Sequence, residues 1–420
     1  MRKTINWLLL LFLVFTLFLS LNRHNKSGIQ NYHSEIWADK AGYYIYLPAL
    51  FIYNFETKNM PAEIDKKTGN GFFINHNKII TKYTYGVSLM QAPCFIVCHS
   101  LSKLFGFNQD GFSIQYHKAI NISAVLYSFF SLIILYFFLK RYLSKKISLI
   151  TVSFLYLGTN IFYYSIFETG MSHIYSLFLF SCYLYLSTFI AKEGRKIHYC
   201  LFGLVIGLIL IVRPINVLFL PVYFMFNSIK VSNIKNNVSN YFLTFFVSFL
   251  VILPQLLYWK YASGNYFQYA YTGESFSNIL QPKLMYLWFS TNNGLFIYNP
   301  IMLFILISIA SYFTENPSRS ILIGIYFLLI SYIFSSWHCW HYGCSFGCRP
   351  YIEYYSLFAL PFGFFIQKLF TKGTIKTVVF SLMTICIVYN QKLIFSYDGC
   401  WYGDTWDWAE LFNLVLGPTK

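Results

Sequence analysis

An all-helical protein built inside a bilayer is the fold class this sequence predicts, and three observations carry the prediction. Hydrophobic residues make up 57% of the 420 residues and charged residues only 11%. That is far more apolar surface than a water-soluble domain can cover, so lipid must serve as its solvent. The apolar residues also gather into runs of spanning length separated by short basic segments, the pattern of a polytopic chain. Finally, the formal charge of +16 reads as loops facing anionic membrane lipids rather than as a nucleic-acid footprint, since no nucleic-acid module is visible. Aromatic residues reach 22%, more than interface belts require, which points to a ring-lined cavity as well.

In chain order, Arg2 and Lys3 precede an apolar run that no small-x-small cleavage pattern follows. Residues 5–21 are therefore expected to form an uncleaved first helix with the amino terminus in the cytoplasm. The stretch SEIWADKAGYYIYLPAL (34–50) lies in the first extracytoplasmic loop, residues 22–117. It combines acids, a base and amphipathic rings at a membrane boundary, more than a connector needs. Apolar runs follow at 120–139, 147–167, 174–191, 241–259, 295–313, 321–335, 355–370 and 375–389. Each reaches or approaches the length that a hydrocarbon core of about 30 Å demands at 1.5 Å per residue. Residues 199–226 differ, because Arg213 and Pro214 interrupt them and leave two short helices meeting outside.

Charge decides the ambiguous run 85–105. If it spans, Lys140, Arg141, Lys145 and Lys146 face outward, against the positive-inside rule. If it is interfacial or re-entrant, that cluster becomes cytoplasmic, together with Lys192, Arg195, Lys196, Lys230, Lys235, Arg319, Lys368, Lys372 and Lys376. Pro93, Gln91, His99 and Lys103 within it also fit a helix that does not face lipid all round. The expected topology is a single integral domain over 1–420 with about eleven spans and an extracytoplasmic tail, residues 392–420.

On that topology the unusual polar residues share the outer face, where polar groups near membrane depth are functional candidates by default. The motifs in order are the acid-bearing first loop, KYTYG from Lys82, ETGMSH from Glu168 to His173, IVRPINVLFLP around Arg213, STNNGLFIYNP, and GCSFGCRPYIE around Arg349. In this order they resemble the polytopic C-type glycosyltransferases, a superfamily that includes protein O-mannosyltransferases and lipid A aminoarabinose transferases. The resemblance implies transfer of a sugar from a polyprenyl-phosphate carrier to an acceptor (lipid, glycan or protein) at the outer face of the cytoplasmic membrane. The chain departs from better-known members in having a single acid, not an adjacent acidic pair, at the first-loop position.

Such a transfer needs a base for the acceptor hydroxyl, but the phosphate leaves as a stable anion and needs no general acid. Asp39 is the chosen base, with Glu35 one turn earlier as the fallback. Arg349 is the first choice for the leaving phosphate, because a guanidinium grips two oxygens at once; alternatively it pairs with Glu353. Lys82 supplies a second, point-like cation. Arg213 either reaches the phosphate or satisfies carbonyls freed by Pro214, and the second role is favoured. His173 either bonds the donor or caps and packs, and Glu168 pairs with Lys82 or binds acceptor. Tyr43, Tyr44, Trp340 and Glu353 complete the candidate substrate-binding set.

His338, Cys339, His341, Cys344 and Cys348 form a dense His/Cys cluster with irregular spacing, so no metal is assigned. A disulfide among Cys339, Cys344, Cys348 and Cys400 competes with free buried thiols, and free thiols are favoured. No Gly-rich phosphate loop is present, in keeping with a lipid-linked donor and no cofactor. Two other readings stay open: a lipid-linked glycan ligase or polymerase, and a secondary transporter or flippase. A transporter should repeat the helix break in a second half, and no internal repeat is visible.

Overall fold

The computed structural model describes residues 2–24, 28–227, 237–268, 271 and 273–418. Lys230 and Lys235, expected in a cytoplasmic loop, lie outside them. The described chain is mostly helical. Among the described residues, five helices are long and apolar enough to cross a membrane: Ile114–Leu139, His173–Ile190, Val238–Ser263, Pro317–Ser335 and Gly373–Ser396. Shorter apolar helices accompany them at Trp7–Asn22, Lys196–Val212, Pro214–Phe226 and Ile301–Tyr312.

Three local features depart from the expected spans, each for a visible reason. The run 147–167 divides into Lys145–Gly158 and Ile161–Ile166. There the Thr159 hydroxyl donates to the Leu155 carbonyl at 2.6 Å and accepts from Ile161 N at 3.3 Å, so one side chain serves both helix ends. The run 295–313 divides at Asn299 and Pro300 into Leu295–Tyr298 and Ile301–Tyr312. Proline cannot continue the first helix, and the Tyr298 carbonyl left at its end accepts from Asn390 Nδ2 at 2.6 Å. The chain is also not purely α-helical. Phe73–Asn75 and Lys78–Ile80 form an antiparallel hairpin, with Phe73 opposite Ile80. Its two-residue turn, His76 and Asn77, has positive φ at both positions, as a twist-compatible hairpin turn requires.

The chain divides into two compact units and passes between them three times, within helix Ile114–Leu139, within helix Ile161–Ile166 and after Thr272. The first comprises Met1–Ser131 and Tyr164–Thr272. Its helices sort by what surrounds them. His173–Ile190 has 72% of its spanning window buried, whereas Val238–Ser263 has 17% and turns Phe242, Phe245, Phe246 and Leu250 outward. The first is an interior helix and the second is clad for lipid. Val238–Ser263 packs on Lys196–Val212 at backbone distance: a Cβ on Gly203 would stand 2.4 Å from the Thr244 carbonyl. Small residues permit that approach, and the Ser248 hydroxyl fastens it by donating to the Gly203 carbonyl at 2.8 Å.

The first loop folds as a cap with its own core. Short helices Asp39–Tyr44 and Tyr46–Phe51 bury Tyr44, Ile45 and Leu47 against Phe72, Phe95, Phe112 and Tyr116. Helix Gly86–Phe105 presents Val87, Met90 and Phe95 inward, and Ile96, Val97, Leu101 and Leu104 outward.

The second unit, Leu132–Tyr163 with Gly273–Lys420, is built round helix Tyr355–Leu369. Its Leu357, Phe358, Ala359, Leu360 and Phe362 are fully buried, and it packs against Lys145–Gly158 and Ile301–Tyr312. Cys344 and Cys400 form a disulfide, so the free-thiol reading fails for this pair; Cys339 and Cys348 are free.

Candidate functional site

The acid-bearing loop is anchored by two buried pairs that flank Asp39 in sequence, a carboxylate–histidine pair and an ion pair. Glu35 stands on one side, its Oε2 3.2 Å from His117 Nδ1, with side chains 4% and 1% exposed. The Ser34 hydroxyl lies 3.2 Å from the same nitrogen, and His117 Nε2 is 3.2 Å from the Phe112 carbonyl. Lys40 stands on the other side, its Nζ 2.9 Å from Glu168 Oε2 and 3.2 Å from the Tyr32 carbonyl, again largely buried. Burying charges is tolerable only where they are paired and hydrogen-bonded, so both pairs are committed to holding the loop.

Asp39 is different. It opens helix Asp39–Tyr44 directly after Ala38, whose φ is +48°, and its side chain is 33% exposed. Lys82 Nζ lies 3.7 Å from its Oδ1, close enough for charge attraction and too far for a hydrogen bond. The Tyr83 hydroxyl is hydrogen-bonded to Asp39, and burial first, then the Asp39 charge, pushes the phenol well above its ordinary value. Tyr83 therefore stays protonated and donates. Its ring lies 3.9 Å from that of Tyr43, while the Lys82 ammonium sits 5.5 Å from the rings of both Tyr83 and Tyr271. Tyr44 points away into the loop core, donating to the Gly111 carbonyl at 2.6 Å.

The KYTYG segment that carries Lys82 is fastened to the helix break. The Thr84 hydroxyl donates to the Ile211 carbonyl, and Tyr85 N donates to Gln255 Oε1 at 2.8 Å. Gly86 is required here, because a Cβ would stand 2.3 Å from that same Ile211 carbonyl. Thr84 thus takes a carbonyl left over where Pro214 ends helix Lys196–Val212, the repair that the sequence assigns to Arg213. Arg213 instead directs Nη1 at His173 Nδ1, 3.2 Å away. A guanidinium can only donate, so His173 Nδ1 accepts and the ring proton belongs on Nε2.

Of the predicted residues in the first unit, the structure brings Asp39, Tyr43 and Lys82 together, links His173 to Arg213, and ties Glu168 to Lys40 rather than to Lys82. Lys40 and His117 went unassigned in the sequence. His117 carried a usable signal, a polar ring entering a spanning run; nothing in the linear chain matched Lys40 to Glu168.

Trp340, Arg349 and Glu353 belong to the second unit, in the loop 337–353. Asn293 Nδ2 donates to the carbonyls of His341 and Gly343, at 3.0 and 3.1 Å, and Asn160 Nδ2 to that of Phe346 at 3.1 Å. The Trp340 ring lies 5.5 Å from Tyr286, which in turn lies 5.4 Å from Trp406. Glu353 is fully buried. Burial pushes the Cys348 thiol well up, with Arg349 drawing it down and Glu353 pushing it further up. Burial likewise lowers His341, with Arg349 and His338 acting in the same direction against a hydrogen bond at Gly343. Among the described residues, no group of three or more His, Cys, Asp and Glu side chains could hold a metal ion.

Residues 101–259 match the family model described as dolichyl-phosphate-mannose-protein mannosyltransferase. The match indicates a membrane glycosyltransferase of the C type. No curated protein and no solved structure matches the chain. The match spans less than half of the chain. It contains Glu168, His173 and Arg213 but stops short of Glu35, Asp39, Lys82, Trp340, Arg349 and Glu353. The acid and cation of the first loop therefore stand on geometry.

Proposed function

We propose that this glycosyltransferase moves a sugar from a polyprenyl-phosphate donor to an acceptor at the outer face of the cytoplasmic membrane, with inversion and with Asp39 as general base. The observation that carries the reading is the contrast among three carboxylates: Glu35 and Glu168 are locked in buried pairs, while Asp39 is open and faces an ammonium at 3.7 Å. In the reaction the acceptor oxygen attacks the anomeric carbon, its proton passes to Asp39, and the carbon–oxygen bond to the phosphate breaks. Lys82 neutralises the departing phosphate, with Arg213 of the same unit as a further cation, and Arg349 is a phosphate candidate on the chemistry of its guanidinium alone. His173, oriented by Arg213, presents Nε2–H to donor or acceptor oxygen, and Tyr43 offers a face to the sugar. The lipid-phosphate sugar in the matched family's description supports the donor class and makes mannose the first sugar to assay. The topology belonging to this reading keeps the amino terminus inside, the first loop and tail outside, and about eleven spans.

The test is transfer of labelled mannose from polyprenyl-phosphate mannose to membrane acceptors by purified Asp39→Asn, at saturating donor. Asparagine preserves size but cannot take the proton, so the rate should fall by about 10² to 10⁴-fold while donor binding persists. Glu35→Gln should cost far less transfer. Full activity in Asp39→Asn overturns the assignment, and a dead Glu35→Gln beside it moves the base one turn back.

A further inference from the structure

We propose that a groove in the second unit, lined by none of the candidate site residues, binds an anionic phospholipid. The groove has a volume of about 540 Å³ and runs along helix Gly373–Ser396, lined by Phe370, Lys376, Phe380 and Ile385 together with the hydroxyl side chains of Thr377, Ser381 and Thr384. Residues four apart share a helix face, so Lys376, Phe380 and Thr384 form one row and Thr377 and Ser381 the adjoining one. From Lys376 to Ile385 the row extends about 13 Å at 1.5 Å per residue, the reach of a good part of one acyl chain.

The two ends of the groove differ in chemistry. One end is cationic: the ammonium groups of Lys146 and Lys376 bear on the same Phe370 ring, at 4.8 and 5.4 Å from its centre. Among the described residues neither lysine lies within ion-pair distance of a carboxylate; the acid in this part of the sequence, Glu315, pairs with Lys368 at 3.3 Å. Like charges converging on one ring repel unless an anion joins them, and a phosphodiester is the anion a bilayer supplies there. The remainder is apolar, floored by Phe380, whose ring lies 5.6 Å from Phe370 and 5.8 Å from Phe154. Free phosphate would satisfy the lysines and leave the apolar trough unfilled; a neutral lipid would fill the trough and leave the lysines opposed. An anionic phospholipid satisfies both, with its headgroup at Lys146 and Lys376 and one chain along Phe380 and Ile385. This inference is independent of the proposed reaction, of Asp39 and of which side of the membrane the groove faces.

The experiment uses the full chain purified in neutral detergent, offered phosphatidylglycerol and phosphatidylcholine at equal mole fraction, with bound lipid counted by native mass spectrometry. Phosphatidylglycerol should be retained about tenfold over phosphatidylcholine, in line with the attraction of two lysines. Lys146→Gln with Lys376→Gln should abolish that preference, whereas Lys140→Gln with Arg141→Gln, which removes the same charge outside the groove, should keep it. Thr384→Trp, which fills the trough, should lower retention of both lipids. Thermal unfolding without added lipid checks that each variant is folded. Equal retention of the two lipids by the wild-type chain overturns the proposal, as does an equal loss in the Lys140/Arg141 variant, which would make the attraction general. Displacement of the lipid by excess inorganic phosphate would reassign the site to free phosphate and overturn it too.

Discussion

The first loop and the loop 337–353 both carry candidate substrate residues, yet they are held by opposite means. The first is pinned through carboxylates, Glu35 to His117 and Glu168 to Lys40. The second is pinned by neutral links: asparagine amides on its carbonyls, the Tyr397 hydroxyl on the Ser345 carbonyl at 2.8 Å, and the Cys344–Cys400 disulfide. Charge pairs give way when one partner is removed and tolerate reductant; the neutral loop should do the reverse. The difference teaches that the half-buried Asp39 can keep contact with solvent because the carboxylates on either side of it carry the anchoring.

The largest expected departure comes from cutting one charge. Lys40→Ala takes the ammonium away from the largely buried Glu168 carboxylate and should cost about 3 to 5 kcal/mol in denaturant unfolding of the purified protein. Lys40→Met with Glu168→Met should recover much of that loss, since an apolar pair avoids the desolvation of both ions. No recovery in the double variant would mean that Lys40 serves something besides Glu168. The second unit should lose somewhat less, about 2 to 4 kcal/mol, when Cys344→Ser opens the closed segment, because the sequence separation of 56 residues is then unconstrained in the unfolded chain. Reductant should reproduce that loss in the wild-type protein and, by a similar amount, in the Lys40 variants, which keep the disulfide; equal sensitivity in the Cys344→Ser protein would point elsewhere.

The smallest effect is one of pH. His341 is held below the ordinary histidine value by burial first and by Arg349 and His338 after it. In the pH window between its lowered folded value and the ordinary one near 6.5, the unfolded chain binds a proton that the folded chain does not. Stability is then full above that window and declines as pH falls through it. His341→Gln should flatten the decline in unfolding curves measured from pH 7.5 to 5; an unchanged slope would assign it to another group.

Much of this was legible in the sequence, and the rest was hidden for definite reasons. The break at Arg213 and Pro214 could be read because proline announces a missing donor. The breaks at Thr159 and at Asn299 were harder, since Thr159 mends its own and Asn390 mends the other from 92 residues away. Asp39 stood out as an acid at a membrane boundary, but its distinction from Glu35 is one of burial, which no local pattern encodes. The Lys40–Glu168 pair spans 128 residues, and the choice of Cys400 for Cys344 depends on where the tail returns. There Ser290 and Thr291 donate to the Thr405 carbonyl at 2.6 and 3.0 Å.

The bond from Thr84 to the Ile211 carbonyl, with Gly86 pressed on the same oxygen, bears on how such proteins can be recombined. A chimera that takes its first loop from one parent and its broken helix from another would pair a hydroxyl and a glycine with a carbonyl they were not shaped for. Segment exchange should therefore treat 82–86 and 209–214 as one inheritable block, though more than a hundred residues part them, and crossovers placed between them should yield proteins that insert yet hold Lys82 out of register.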